Sequence, residues 1–97
     1  MKKDVVIFDL DGTLADIESR RKLATNLNGK MDWDIFFDPS NIELDLPNEP
    51  VIEMAKVLDA QGFNIVIFSG RSKATKDATA AWLDKHNVPF NIMKISW

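Results

Sequence analysis

Asp4-Val5-Val6-Ile7-Phe8-Asp9-Leu10-Asp11-Gly12-Thr13 is the stretch on which the fold turns. An apolar run of four closes on an acid, a second acid follows two residues later, and Gly-Thr comes next. The run is too short for a helix and is rich in β-branched and aromatic residues. It therefore predicts a parallel strand buried on both faces. Gly12 lets the chain leave that strand sharply. Asp9 and Asp11 then stand at the carboxyl end of a buried strand, where open α/β sheets bind their ligands. Two carboxylates in that place are costly unless a metal, hydrogen bonds or a cation compensate them.

Working outward, strand 1 covers about residues 4–9. Residues 14–26 turn polar and helix-compatible, with Ile17, Leu23, Ala24 and Leu27 as apolar members, and Asn28-Gly29 stops them. The cluster Trp33, Ile35, Phe36 and Phe37 needs cover. Two readings stand for it: a short helix packed on the core, or a small lid over the acids. Asn48-Glu49-Pro50 opens the clearest helix, with Asn48 as its cap and Gly62 as its stop. Val51, Ile52, Met54, Ala55, Val57 and Leu58 form its broad apolar stripe. A second strand spans residues 63–68 and ends at Ser69-Gly70-Arg71. A helix over residues 73–86 and a third strand over residues 90–95 follow. The order β–insert–α–β–α–β is that of a parallel sheet wound with right-handed crossovers. The excess between the first two strands, residues 14–47, is where any lid must lie.

The totals narrow the class. At 97 residues the chain is one small domain, and 45% hydrophobic with 28% charged residues is ordinary for a soluble globular protein. A net charge of −3 argues against a broad basic face for duplex nucleic acid, yet permits a local basic site for one phosphate. No cysteine is present, which removes disulfides, thiolate zinc sites and a catalytic thiol and fits a cytoplasmic setting. Lys2-Lys3 precedes an apolar run, but the run stops at Asp9, well short of a signal-peptide core. No stretch approaches transmembrane length.

If strands 1 and 2 are neighbours about 4.8 Å apart, Asp9 and Ser69 end on one rim. Ser69-Gly70 offers a hydroxyl and backbone N–H groups to an anion, and Lys94 lies near the same rim on strand 3. Two acids, a hydroxyl with backbone donors and one cation make a phosphoryl-transfer site. Asp9 would attack phosphorus as a carboxylate nucleophile. Asp11 would give a proton to the leaving oxygen and later take one from water. A phosphate dianion meets like charge there: about 4 kcal/mol of repulsion per unit pair at about 4 Å and an effective dielectric near 20. Mg²⁺ is the natural supplement to a single lysine, because it binds through one or two carboxylates plus substrate phosphate.

Asp9-Leu10-Asp11-Gly12-Thr13 resembles the first motif of the haloacid dehalogenase superfamily. Phe68-Ser69-Gly70-Arg71 resembles its second motif in the form used by the 3′-phosphatase domains of polynucleotide kinases and their small phage and bacterial relatives. Residues 32–37 and 47–51 also look like stretches between the motifs in those relatives. The resemblance implies a Rossmann-like three-layer αβα fold with a parallel sheet and a small insert after strand 1. It implies Asp9 as nucleophile, Asp11 as general acid/base, and Mg²⁺ held by Asp9 and the main-chain carbonyl of Asp11. It implies Thr13, Ser69, Gly70, Arg71, Arg20 and Lys94 as substrate-binding residues. The expected activity is a Mg²⁺-dependent phosphomonoester hydrolase acting through an aspartyl-phosphate on a nucleotide or a polynucleotide 3′-phosphate.

One departure counts against full activity. The family adds a further crossover, a fourth strand beside strand 1 and an acidic fourth motif, and this sequence stops at Trp97 before them. Three explanations follow, in order of preference: truncation, a second copy pairing along the strand 1 edge, or a minimal variant. The alternative function is a non-catalytic phosphate- or partner-binding module, or a subunit completed by another chain. A phospho-acceptor signalling domain is disfavoured because strand 2 ends in Ser69 rather than an acid. Plainer readings stand beside each site residue. Asp11-Gly12 is also a turn signal, Ser69 a favoured helix cap, and Arg71 a possible surface ion-pair residue. Arg20 stands beside Arg21 on a polar face, Lys94 suits a strand edge, and His86 suits a helix end. Met54, Trp82 and Met93 read as core. Asp32, Asp34, Asp38, Glu43 and Asp45 read as a solvated acidic run, with one of them a candidate metal ligand.

Overall fold

The computed structural model describes residues 4–95; Lys2-Lys3 and Trp97 lie outside the described residues. In chain order, β1 (Val5–Asp9) leads through a tight turn to β2 (Ala15–Asp16) and α1 (Glu18–Ala24). Then come α2 (Trp33–Phe36), a 3-10 segment over Pro39–Leu44, β3 (Leu46–Pro47) and α3 (Glu49–Ala60). The chain continues through β4 (Asn64–Ser69), a second 3-10 segment over Lys73–Thr75, α4 (Lys76–Lys85) and β5 (Ile92–Ile95). The helix expected over residues 14–26 thus begins only at Glu18. Leu14 and Ala15 are buried instead, and Ala15 pairs with Pro47 across the antiparallel β2–β3 ribbon. That ribbon draws the two ends of the insert together.

The sheet is parallel with strand order β1-β4-β5, which makes the fold α/β. Val5 pairs with Asn64 through to Asp9 with Phe68, and Val66 pairs with Ile92 through to Ser69 with Ile95. Asp9, Phe68 and Lys94 consequently stand in one row across the three strands. Both crossovers advance in the same direction, so right-handed connections bring α3 and α4 to the same face. There Ile52 and Ala55 of α3, and Trp82 and Leu83 of α4, join Phe8, Ile65 and Ile67 in one core.

The opposite face has no helix over it among the described residues. Val5, Ile7, Phe68 and Ile92 are 54%, 65%, 46% and 50% exposed. This corrects the expectation that β1 is buried on both faces: alternate residues point into the core, and the rest face outward from a strand that, among the described residues, is paired on one side only.

Two further expectations change. Met54 is not a core residue but 58% exposed, and Val57 faces solvent with it. At 100° per residue these two fall beyond the edge of the stripe formed by Val51, Ile52, Ala55 and Leu58. Trp82 and Met93 do pack in or against the core. His86 takes the C-cap position of α4, with its ring 4.6 Å from that of Trp82, away from the carboxyl rim of the sheet.

Candidate active site

The turn after β1 winds around one carbonyl. The Leu10 oxygen accepts from the N–H groups of Thr13, Leu14 and Ala15 at 3.2, 3.0 and 3.0 Å. Gly12 adopts φ +80, the left-handed region that glycine enters without strain. Asn48 holds the turn from outside: its Nδ2 donates to the Thr13 carbonyl at 2.8 Å, and its N–H donates to that of Leu14 at 2.9 Å. The residue stands at the α3 N-cap, yet its side chain ties the loop rather than capping the helix.

Asp9 is exposed at the end of β1, and its Oδ1 accepts from the Leu10 N–H at 3.0 Å. Asp11 is set differently. Arg71 donates to its Oδ1 from both Nε and Nη2, at 2.9 and 2.6 Å, and Arg20 Nη2 reaches the same oxygen at 3.5 Å. No hydrogen bond falls on Asp11 Oδ2 from the described residues, and the side chain is 27% exposed. One oxygen is fixed while the other faces the space above the strand ends.

Neither arginine lies on the surface. Arg20 and Arg71 are both 0% exposed, which overturns the surface ion-pair reading of Arg71 and the solvated reading of Arg20. Two buried guanidiniums need compensation, and Asp45 supplies it. Arg20 donates to both its oxygens, from Nε to Oδ1 at 2.9 Å and from Nη2 to Oδ2 at 3.1 Å, and Arg71 Nη2 donates to Oδ2 at 2.8 Å. Arg20 Nη1 donates to the Phe36 carbonyl at 2.9 Å, with its guanidinium 4.3 Å from the Phe36 ring centroid. Arg71 Nη1 donates to Thr79 Oγ1 at 3.0 Å. Trp82 Nε1 donates to the Asp45 carbonyl at 3.0 Å and so anchors the acid from α4. Burial pushes the Asp45 carboxyl up from its ordinary value, while Arg20 and Arg71 pull it down.

Asp45 is the residue that sequence reasoning missed, placing it in a solvated acidic run. Asp32 and Asp38 of that run do face solvent, as caps of α2 and of the Pro39–Leu44 segment. Asp45 does not, at 2% exposed. No local pattern marks it. The available signal was the pair of arginines, two cations for which Asp11 alone gives too little charge.

Ser69 is buried at the end of β4, and its Oγ accepts from the Arg71 N–H at 3.1 Å, so it shapes the Ser69-Gly70-Arg71 turn. It does not cap α4, whose cap position is held by Thr75. Gly70 is exposed beside it, and Thr13 is partly exposed beside Gly12. Lys94 is exposed on β5, two strands from Asp9 in the same row. The structure thus gathers Asp11, Arg20 and Arg71 into one network. It sets Asp9, Thr13, Ser69, Gly70 and Lys94 along the same rim, without joining them to that network by any contact between side chains that is described.

An open groove of about 670 Å³ runs from Asp11 and Gly12 past Asp16, Glu18, Asn48 and Glu49. No group of three or more His, Cys, Asp or Glu able to hold a metal occurs among the described residues. The donors available are the Asp9 carboxylate and the Asp11 main-chain carbonyl, which accepts no hydrogen bond from the described residues. That set fits Mg²⁺ bound partly by water and substrate phosphate rather than in a protein cage. No described helix is long and apolar enough to cross a membrane.

Comparison with solved structures places this arrangement. The chain superposes on a component of the Pnkp1/Rnl/Hen1 complex with TM-score 0.72 and 27% identity, covering 97% of this chain and 29% of that one. It matches a chain of the Pnkp1/Rnl/Hen1 RNA repair complex with TM-score 0.67 and 29% identity, covering 96% and 26%. A structural-genomics target from Vibrio cholerae matches with TM-score 0.59 and 29% identity, covering 98% and 69%. The chain therefore spans less than a third of the first two chains it matches. The family model for the polynucleotide kinase PNKP phosphatase domain matches residues 3–96. With the acid pair, the serine turn and the parallel sheet in that family's order, the chain belongs to the PNKP phosphatase domain family of the haloacid dehalogenase superfamily.

Proposed function

We propose that this chain is a phosphomonoester hydrolase acting on a polynucleotide 3′-phosphate through an aspartyl-phosphate. The observation that carries the reading is the unequal treatment of the two acids. Asp9 stands exposed at the strand end, free to attack, while Asp11 is held through one oxygen by two buried arginines. In the first step an Asp9 oxygen forms a bond to phosphorus. The bond from phosphorus to the ester oxygen breaks, and that oxygen takes a proton from Asp11. In the second step a water gives a proton to Asp11 and attacks phosphorus. The bond to Asp9 breaks, which releases inorganic phosphate and restores the carboxylate.

Arg20 and Arg71 act as positioning residues for Asp11, since their guanidiniums are buried and engaged. Thr13 and Gly70 face the incoming phosphate, Ser69 sets the backbone turn beneath it, and Lys94 lies two strands away in the row of Asp9. Mg²⁺ held at Asp9 and the Asp11 carbonyl would offset the charge of the phosphate dianion as a hard cation. Residues 14–47 serve as a lid in part, since they contribute Arg20, Phe36 and Asp45 to the support of Asp11.

The test is turnover of a 3′-phosphorylated oligonucleotide and of a generic aryl phosphate by the purified chain with Mg²⁺. Asp9→Asn is expected to abolish both, and hydrolysis that survives it would remove Asp9 as nucleophile. A second reading is favoured by the uncovered sheet face: a subunit completed by another chain. Size measurement separates the two, because a stable monomer that turns over substrate needs no completion.

A further inference from the structure

The rim is bordered by a second cavity, of about 440 Å³, lined by Lys73, Lys76, Met93, Lys94 and Ile95. Three cations from three elements meet there: Lys73 from the 3-10 segment before α4, Lys76 from the first turn of α4, and Lys94 from β5. All three are exposed, and no ion pair or hydrogen bond of their side-chain ammonium groups occurs among the described residues. The placement is unfavourable for the fold itself. The start of a helix is its positive end and favours acids: α1, α3 and α4 carry Glu18, Glu49 and Asp77 in their first turns, and at α4 the one acid stands against Lys73, Lys76 and the neighbouring Lys94. A concentration of unpaired positive charge in a chain of net charge −3 calls for an anionic ligand.

The direction of that ligand follows from the other border of the site. The groove that leaves Asp11 past β2 is lined by Asp16, Glu18 and Glu49 against one cation, Arg21, which is already paired with Glu18, so its balance is negative and disfavours a polyanion. Lys94 lies in the row of Asp9 and two strands away, roughly 10 Å at ordinary strand spacing. A chain of phosphates whose end sits at Asp9 therefore runs across β4 toward the lysines. We propose that the Lys73, Lys76 and Lys94 cavity binds the backbone phosphates of a single-stranded polynucleotide that precede its 3′ end. This rests on the phosphatase reading for the position of the terminal phosphate. It adds the substrate's direction across the sheet and the residues that distinguish a polynucleotide from a small ester.

The experiment measures binding, separately from turnover. A 3′-phosphorylated single-stranded oligonucleotide is titrated against the whole chain, Lys73→Gln/Lys76→Gln and Lys56→Gln/Lys85→Gln, at several salt concentrations. Circular dichroism first verifies that each variant is folded. The second pair makes the same charge change elsewhere, on α3 and at the far end of α4. The cavity pair should weaken binding roughly tenfold at low salt and flatten the salt dependence by about 1.4, at about 0.7 for each phosphate of a single strand that is no longer neutralised. The distant pair should leave both near the parent value. Equal losses in the two pairs, or an unchanged salt slope in the cavity pair, would overturn the proposal. Aryl phosphate hydrolysis without oligonucleotide binding would overturn this site and leave the phosphatase reading intact. Lysine-dependent binding without any hydrolysis would support the site and remove the phosphatase reading instead.

Discussion

Asp45 shows how a residue with no chemistry of its own to perform can decide what a neighbour does. It holds two guanidiniums that would otherwise both turn on Asp11, and the four charges of Asp11, Asp45, Arg20 and Arg71 sum to zero. Removing it with Asp45→Ala strands buried charge, at a cost of about 3–5 kcal/mol measurable by urea denaturation. Its titration has a definite sign. Burial raises its carboxyl above 3.8, so the folded chain binds that proton more tightly than the unfolded chain does. This contribution to stability is complete below pH 3.8 and is lost as pH rises through the raised value. Asp45→Asn should flatten that part of the pH–stability profile relative to the parent. Arg71→Lys keeps the charge but gives up the fork on Asp11 and the bond to Thr79. We expect kcat to fall by about 10- to 100-fold with KM nearly unchanged, as loss of orientation rather than of binding.

At the scale of elements, the turn after β1 depends on conformation more than on space. A Cβ added at Gly12 meets nothing within 4 Å, so Gly12→Ala pays only for its positive φ, about 1 kcal/mol or somewhat more. Gly12→Asn should cost less than Gly12→Ala, because asparagine tolerates the left-handed region; thermal melts of the two variants check the order. Asn48→Ala should cost about 1 kcal/mol through the bond to Thr13, read as faster amide exchange in the turn with little change in α3. These elements were readable to different degrees. The strands and the two long helices declare themselves through β-branched runs and apolar periodicity, and the acid pair and serine turn through their spacing. The β2–β3 ribbon did not, because two residues per strand carry no period. The buried arginines did not, because burial of a charge depends on a partner 25 or 26 positions away in sequence rather than on neighbours.

For the whole molecule, the telling feature is that both long crossovers turn onto one face. Among the described residues, the uncovered face and the open edge of β1 together present Val5 and Ile7 beside backbone groups with no strand partner. Exposed apolar edges invite pairing with another strand. We expect the chain to self-associate with increasing concentration in analytical ultracentrifugation, and Ile7→Lys to shift it toward monomer without loss of helicity. A strict monomer at high concentration would count against pairing along that edge.

The strand with the free edge is also the strand that ends in Asp9. Asp9, the proposed nucleophile, is moored by a single ladder of hydrogen bonds among the described residues, at the margin of the sheet rather than in its middle. Anything that adds a strand there stiffens the mooring as well as covering apolar surface. If phosphate binds at Asp9 as proposed, its binding and association along β1 are linked: strand addition that favours the phosphate is favoured by it to the same extent.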